Sequence, residues 1–268
     1  SRDGLVYQLR SKMVSYDDFC GSLQKLKDDS FAKQESWKKD WFSGNDISMA
    51  FEDAKLRIFI SDMYTALNPN VIRDRQIDIV VNMMGPPDLV DERRKLSGPK
   101  SHYHEDSAST SRYKKYWDKN MCQQRQEAAQ TYFQDGGRAF YKKLGVHYVE
   151  EAAADDWNNV IAEHFPRVNK QLVDSIQDIT SDPNKQVKKI HVLFHCYGGR
   201  NRSAVAMCAF WFLWRAKAAA DSVSMTECIK QAVRARPEVF TKKGKNHDNF
   251  LRNLVMYEKG VLSALGRL

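Results

Sequence analysis

The stretch Phe194-His195-Cys196-Tyr197-Gly198-Gly199-Arg200-Asn201-Arg202-Ser203 (FHCYGGRNRS) decides how this chain is read. Before it, Val187–Phe194 is an apolar, β-branched run with the character of a buried strand. After it, a helix is expected from Arg202 to about Lys217, carrying the apolar run Ala204–Trp214. A loop that joins a strand to a helix N-terminus turns backbone N–H groups inward, and the helix dipole adds positive potential there. Gly198 and Gly199 supply the backbone angles and close approach that such a cradle needs.

The side chains in this loop have matching chemistry. Cys196 sits at the base of the cradle, where positive potential lowers a thiol from about 8.5 toward the thiolate range. A thiolate attacks phosphorus readily and forms a covalent phosphocysteine. Arg202 presents a planar fork for two phosphate oxygens. The Ser203 hydroxyl is placed to donate to the sulfur as it leaves, and His195 to fix the loop from behind rather than act as a base.

HCYGGRNRS matches the H-C-x-x-G-x-x-R-[S/T] loop of the protein-tyrosine phosphatase superfamily at every fixed position. Chance would give such a match in about one chain of this length in ten thousand. The resemblance implies an α/β, three-layer fold, with a central mostly parallel sheet flanked by helices and the phosphate-binding loop between a strand and a helix N-terminus. It also implies that Cys196, Arg202 and Ser203 are catalytic. His195, Tyr197, Gly198, Gly199, Arg200 and Asn201 would shape the substrate site. No cofactor and no metal is expected.

The mechanism also needs a general acid, which then serves as base toward water. Glu150, Glu151, Asp155 and Asp156 are the acidic candidates upstream. Tyr148–Phe165 (YVEEAAADDWNNVIAEHF) resembles the general-acid loop of dual-specificity phosphatases, which implies Asp155 as the acid, with Asp156 the alternative. Leu56–Ser61 (LRIFIS), Ile77–Met83 (IDIVVNM) and Ala232–Pro237 (AVRARP) resemble other parts of that group, and no counterpart of the phosphotyrosine-recognition loop is visible.

The expected activity is hydrolysis of phosphotyrosine or phosphoserine/threonine in proteins, with phosphorylated proteins as partners. Asn201 before the arginine resembles the loop of RNA 5′-triphosphatases, but their Thr-His pair is replaced by Tyr197-Gly198. Arg200 resembles the basic loop residue of phosphoinositide phosphatases, but their lysine after the cysteine is here Tyr197. An anionic lipid headgroup and an RNA 5′ end are therefore the alternative substrates. A non-catalytic phosphate-binding scaffold is the reading from another class; such relatives usually lose the cysteine, the arginine or the acid.

The remaining sequence sets the frame. Its 268 residues are 42% hydrophobic and 28% charged, enough for a substantial core, and the net charge of +8 favours anionic partners. Cys20, Cys122, Cys196, Cys208 and Cys228 have no paired spacing, which points to free thiols in a reducing compartment, cytoplasmic or nuclear. Residues 1–55 are expected to form a helical N-terminal extension and 56–268 the catalytic domain, with a long insertion at about 85–144. In the extension, Ser15 and Asp18 resemble a capping box, Phe19, Leu23 and Leu26 share a helical face, and Phe31, Trp37, Trp41 and Phe42 are expected to pack it onto the domain. The insertion opens on Pro86-Pro87, holds His102 and His104, which are expected to face solvent, and ends in a helix over about 121–143. Further on, Val146–Val149 reads as a strand, Val168, Leu172, Ile176 and Ile179 mark one helical face, and Ser224 with Glu227 caps another helix.

Overall fold

The computed structural model describes residues 16–33, 47–85, 127–153 apart from 129 and 133, 160–183, 189–218, 223–240 and 245–266. In chain order the elements are α1 (Tyr16–Lys33), β1 (Ile47–Glu52), β2 (Leu56–Asp62), α2 (Met63–Ala66), α3 (Pro69–Asp74), β3 (Ile79–Asn82), α4 (Arg138–Lys143), β4 (His147–Glu150), α5 (Phe165–Ser181), β5 (Ile190–Cys196), α6 (Arg202–Lys217), α7 (Met225–Ala235) and α8 (Lys245–Ala264). A 3₁₀ turn, Ile161–His164, leads into α5.

The sheet has the order β1-β2-β5-β3-β4. The pairs β2–β5, β5–β3 and β3–β4 are parallel, and only the β1 edge is antiparallel. β3 is buried along its whole length, and β2 and β5 at every position except Arg57 and His191. Alternate side chains point to opposite faces, so burial of consecutive residues means that both faces of the sheet are covered. The mostly parallel α/β architecture is thus present.

The helices follow their sequence patterns. α5 turns Val168, Leu172, Ile176 and Ile179 to the core and places Pro166 in its first turn. α6 has no polar face over its first eleven residues, because it lies against β2 and β5 while α5, α7 and α8 pack around it. In α7 the Ser224 side chain accepts the Glu227 N–H at 3.2 Å, as the capping pattern predicts.

Three boundaries differ from expectation. The sheet begins at Ile47, within the stretch expected to be helical. Ala50 and Phe51 are buried in β1, and Phe51 stacks on Trp211 with ring centroids 5.1 Å apart. A bulge between Met49 and Phe51 interrupts the two-residue alternation that would mark this strand in sequence. Secondly, the helix expected over 121–143 is broken at Gly136 and Gly137, both with positive φ, and Asp135 caps α4 through the N–H groups of Gly137 and Ala139. Thirdly, the end of the expected insertion belongs to the core. Tyr132 and Tyr141 are fully buried, their hydroxyls donating to the carbonyls of Gly85 (2.6 Å) and Ala66 (3.0 Å).

In α1, Phe19 and Leu23 are buried and Leu26 packs against the same core. Ser15, the Asp18 and Phe31 side chains, Trp37, Trp41, Phe42, His102, His104 and Cys122 lie outside the described residues. Cys208 and Cys228 are buried, reduced thiols. Among the described residues, no helix is long and apolar enough to cross a membrane, and no group of His, Cys, Asp and Glu is arranged to hold a metal.

Candidate active site

β5 ends at Cys196 and α6 begins at Arg202, so five residues make the connection. The loop is tied to its surroundings by backbone hydrogen bonds. The Met83 N–H donates to the His195 carbonyl (3.0 Å), Met63 to Tyr197 (3.2 Å) and Phe240 to Arg200 (2.9 Å). At the centre Gly199 takes φ +61°, and a Cβ there would stand 2.3 Å from the Ser61 carbonyl oxygen. No residue with a side chain fits that approach. Asn201 occupies the N-cap of α6 without making a side-chain cap bond, and its Oδ1 is buried without a hydrogen-bond partner among the described residues. An uncapped helix start leaves N–H groups available for an anion.

The reactive groups converge on this point. Cys196 is 4% exposed, and the Ser203 hydroxyl donates to its Sγ at 3.3 Å. Arg202 is buried, and its Nη1 donates to the Ala153 carbonyl at 3.1 Å. That contact brings the guanidinium to the start of segment 154–159, which contains Asp155 and Asp156 and lies outside the described residues.

The other two acidic candidates are engaged elsewhere. Glu150 pairs with Arg138 and accepts the Tyr148 hydroxyl. Burial would raise the Glu151 carboxyl, but hydrogen bonds from Arg167 (2.6 and 3.0 Å) and His164 (2.7 Å) outweigh it and hold the group below the ordinary carboxylate range. Both carboxylates make ion pairs with arginines.

His195 is wholly buried, and neither ring nitrogen has a hydrogen-bond partner among the described residues. Burial, with the nearby Arg202 charge, pushes it down to about 3, so the ring is neutral at working pH. Its carbonyl, through the Met83 N–H, helps to hold the end of β5 in place. Tyr197 and Arg200 are partly exposed, whereas Asn201 is buried. Burial pushes the Cys208 thiol up, as suits packing inside α6.

Several neighbours of the loop escaped sequence reasoning. Asp62 stands opposite Cys196 in the parallel register and caps α2 through the Thr65 N–H (2.8 Å). The Tyr64 and Tyr197 hydroxyls lie 3.1 Å apart and their rings meet edge to face. Asn82, at the end of β3, donates to the Tyr148 hydroxyl (2.7 Å) and accepts the Met84 N–H (2.9 Å). A polar residue ending each apolar strand run was the available signal for Asp62 and Asn82; none marked Tyr64.

The arrangement can cradle an oxyanion above a thiol. The chain is similar in structure to the phosphatase domain of Yvh1 from Chaetomium thermophilum, at 14% identity and a TM-score of 0.43, covering 82% of this chain and 96% of that one. It is similar to PTPMT1 at 11% identity and a TM-score of 0.42, covering 83% and 99%. It is also similar to the PTP-2 phosphatase of Cydia pomonella at 10% identity and a TM-score of 0.38, covering 79% and 89%. No protein-family profile and no curated protein sequence matches the chain. With TM-scores under 0.5, these likenesses stand beside the chain's own sheet order and loop and add no weight to them.

Proposed function

We propose that this chain is a cysteine-dependent phosphatase of the protein-tyrosine phosphatase superfamily, acting on phosphotyrosine or phosphoserine/threonine in proteins. The observation that carries the reading is the Ser203 hydroxyl donating to Cys196 Sγ at 3.3 Å, at the uncapped start of α6. The Cys196 thiolate attacks phosphorus, an S–P bond forms, and the O–P bond to the substrate breaks. Asp155, or Asp156 in its place, gives its proton to the leaving oxygen. Water then attacks the phosphocysteine, losing its proton to the same carboxylate, and inorganic phosphate departs as the thiolate is restored with Ser203 donating to it. Arg202 holds two phosphate oxygens through both steps. No metal or redox partner is needed to balance either step.

Arg200 and Asn201 keep phosphoinositides and triphosphate-ended RNA as the competing substrates. The scattered, unpaired spacing of the five cysteines supports a reducing compartment, the cytoplasm or the nucleus. The test is a panel of initial rates on phosphotyrosine and phosphothreonine peptides, phosphoinositides and 5′-triphosphate RNA, with Cys196→Ser as control. The proposal expects peptide hydrolysis that Cys196→Ser abolishes while peptide binding persists. Hydrolysis that survives the substitution, or requires a divalent metal, overturns the mechanism; a clear preference for lipid or RNA overturns the substrate.

A further inference from the structure

Lys27 lies well inside α1, yet it is only 3% exposed. Its Nζ donates to the carbonyl of Phe240, 213 residues further along the chain. Phe240 ends the turn after α7 in a left-handed conformation, φ +58°, which a bulky residue adopts only when its surroundings hold it there. The N–H of the same Phe240 donates to the Arg200 carbonyl at 2.9 Å. One residue thus takes a hydrogen bond from α1 at its carbonyl and gives one to the loop below Cys196 at its amide. Packing alone would be served by an apolar side chain at position 27, because a buried ammonium is costly without a polar contact in return. Burial lowers Lys27 to about 8 against the opposing pull of Cys20 and Asp28, so the charge is kept at neutral pH.

We propose that Lys27 is a positioning residue for the loop. It holds Phe240 in its left-handed conformation and, through the Phe240 amide, sets where Arg200 lies beside a bound phosphate. The role in turnover rests on the phosphatase reading above; the brace itself does not. α1 is then a working part of the catalytic unit, although it lies in the stretch that reads as an extension.

The test uses the full chain with Lys27→Met, which keeps the stem and removes the ammonium, together with Arg200→Ala and the double variant. Amide exchange followed by NMR should speed up at Phe240 by about tenfold or more in Lys27→Met while the β5 amides, which report global opening, keep their rates. On a phosphomonoester, kcat/KM should fall about threefold to tenfold, mostly in kcat. The double variant should lose less than the product of the two single losses, since Lys27→Met acts through the placement of the Arg200 side chain that Arg200→Ala removes. Unchanged Phe240 exchange, or multiplicative losses, would overturn the proposal. Should Lys27→Met not fold, Lys27→Leu, a shorter apolar side chain that also removes the donor, is judged by the same two readouts. A wild-type chain without phosphatase activity would sink the catalytic reading, yet the exchange measurement would still decide the brace.

Discussion

Cys196 and Cys208 are twelve residues apart, and their surroundings assign them opposite chemistry. Cys208 is enclosed in α6, where burial keeps it a neutral thiol. Cys196 sits at the helix start with a hydroxyl donor on its sulfur. Brief peroxide treatment should therefore oxidise Cys196 first, with activity returning on addition of a thiol, and mass spectrometry of trapped sulfenate should find it there. Preferential labelling of Cys208 would contradict the proposed site. Asp155→Ala should lower kcat by about 10²–10⁴-fold with little change in substrate binding, as removal of a general acid does. If only Asp156→Ala has that effect, the assignment moves by one residue. Ser203→Ala should leave the first step fast and the second slow, seen as a burst of alcohol product in rapid-mixing experiments.

At the scale of elements, the β5–loop–α6 unit was legible because its signals are local. An apolar run, two glycines and a second apolar run with helix character fix strand, loop and helix without reference to the rest of the chain. The residues that tie the loop down were not legible, because they are set by contacts across the sequence. Ser61 lines the back of Gly199, the Ala153 carbonyl accepts from Arg202, and the Phe240 N–H donates to the Arg200 carbonyl, and no local pattern links these positions. β1 was missed for a different reason, its bulge having removed the alternation that marks a strand. The close approach at Gly199 gives the sharpest test at this scale. Gly199→Ala would drive a Cβ into the Ser61 backbone and shift the loop, so activity should fall about 100-fold, the cost of misplacing catalytic groups by about an ångström. Circular dichroism should remain close to wild type, because the strand and the helix on either side are untouched. Full activity in Gly199→Ala would mean that the loop does not need that geometry.

For the whole molecule, the buried neutral His195 ties stability to pH. Its folded value near 3 lies below the ordinary 6.5, so between those limits the unfolded chain binds a proton that the folded chain does not. Stability therefore rises with pH through that window and falls as pH drops from 6.5 toward 3. Thermal unfolding between pH 4.5 and 7 should show this slope, and His195→Gln should flatten it. An unchanged slope would mean that other groups dominate acid sensitivity. The Glu151 cluster acts in the same direction at lower pH. Its folded carboxyl titrates below the ordinary 4.5, so the stability it contributes is present above that value and lost as pH falls through the folded one.

The strand order also sets a timetable for folding. β5 reaches the sheet only by inserting between β2 and β3, strands more than 100 residues earlier in the chain, and both of its pairings are parallel. Such distant closures come slowly, since loop entropy must be overcome before any contact rewards it. The proposed nucleophile, Cys196, is the last residue of that central strand, so it is assembled late. On a ribosome, the two outer partners are complete well before the strand that joins them emerges. Refolding from denaturant should accordingly recover helical signal well ahead of the catalytic pocket, leaving an interval in which Cys196 is an ordinary, accessible thiol.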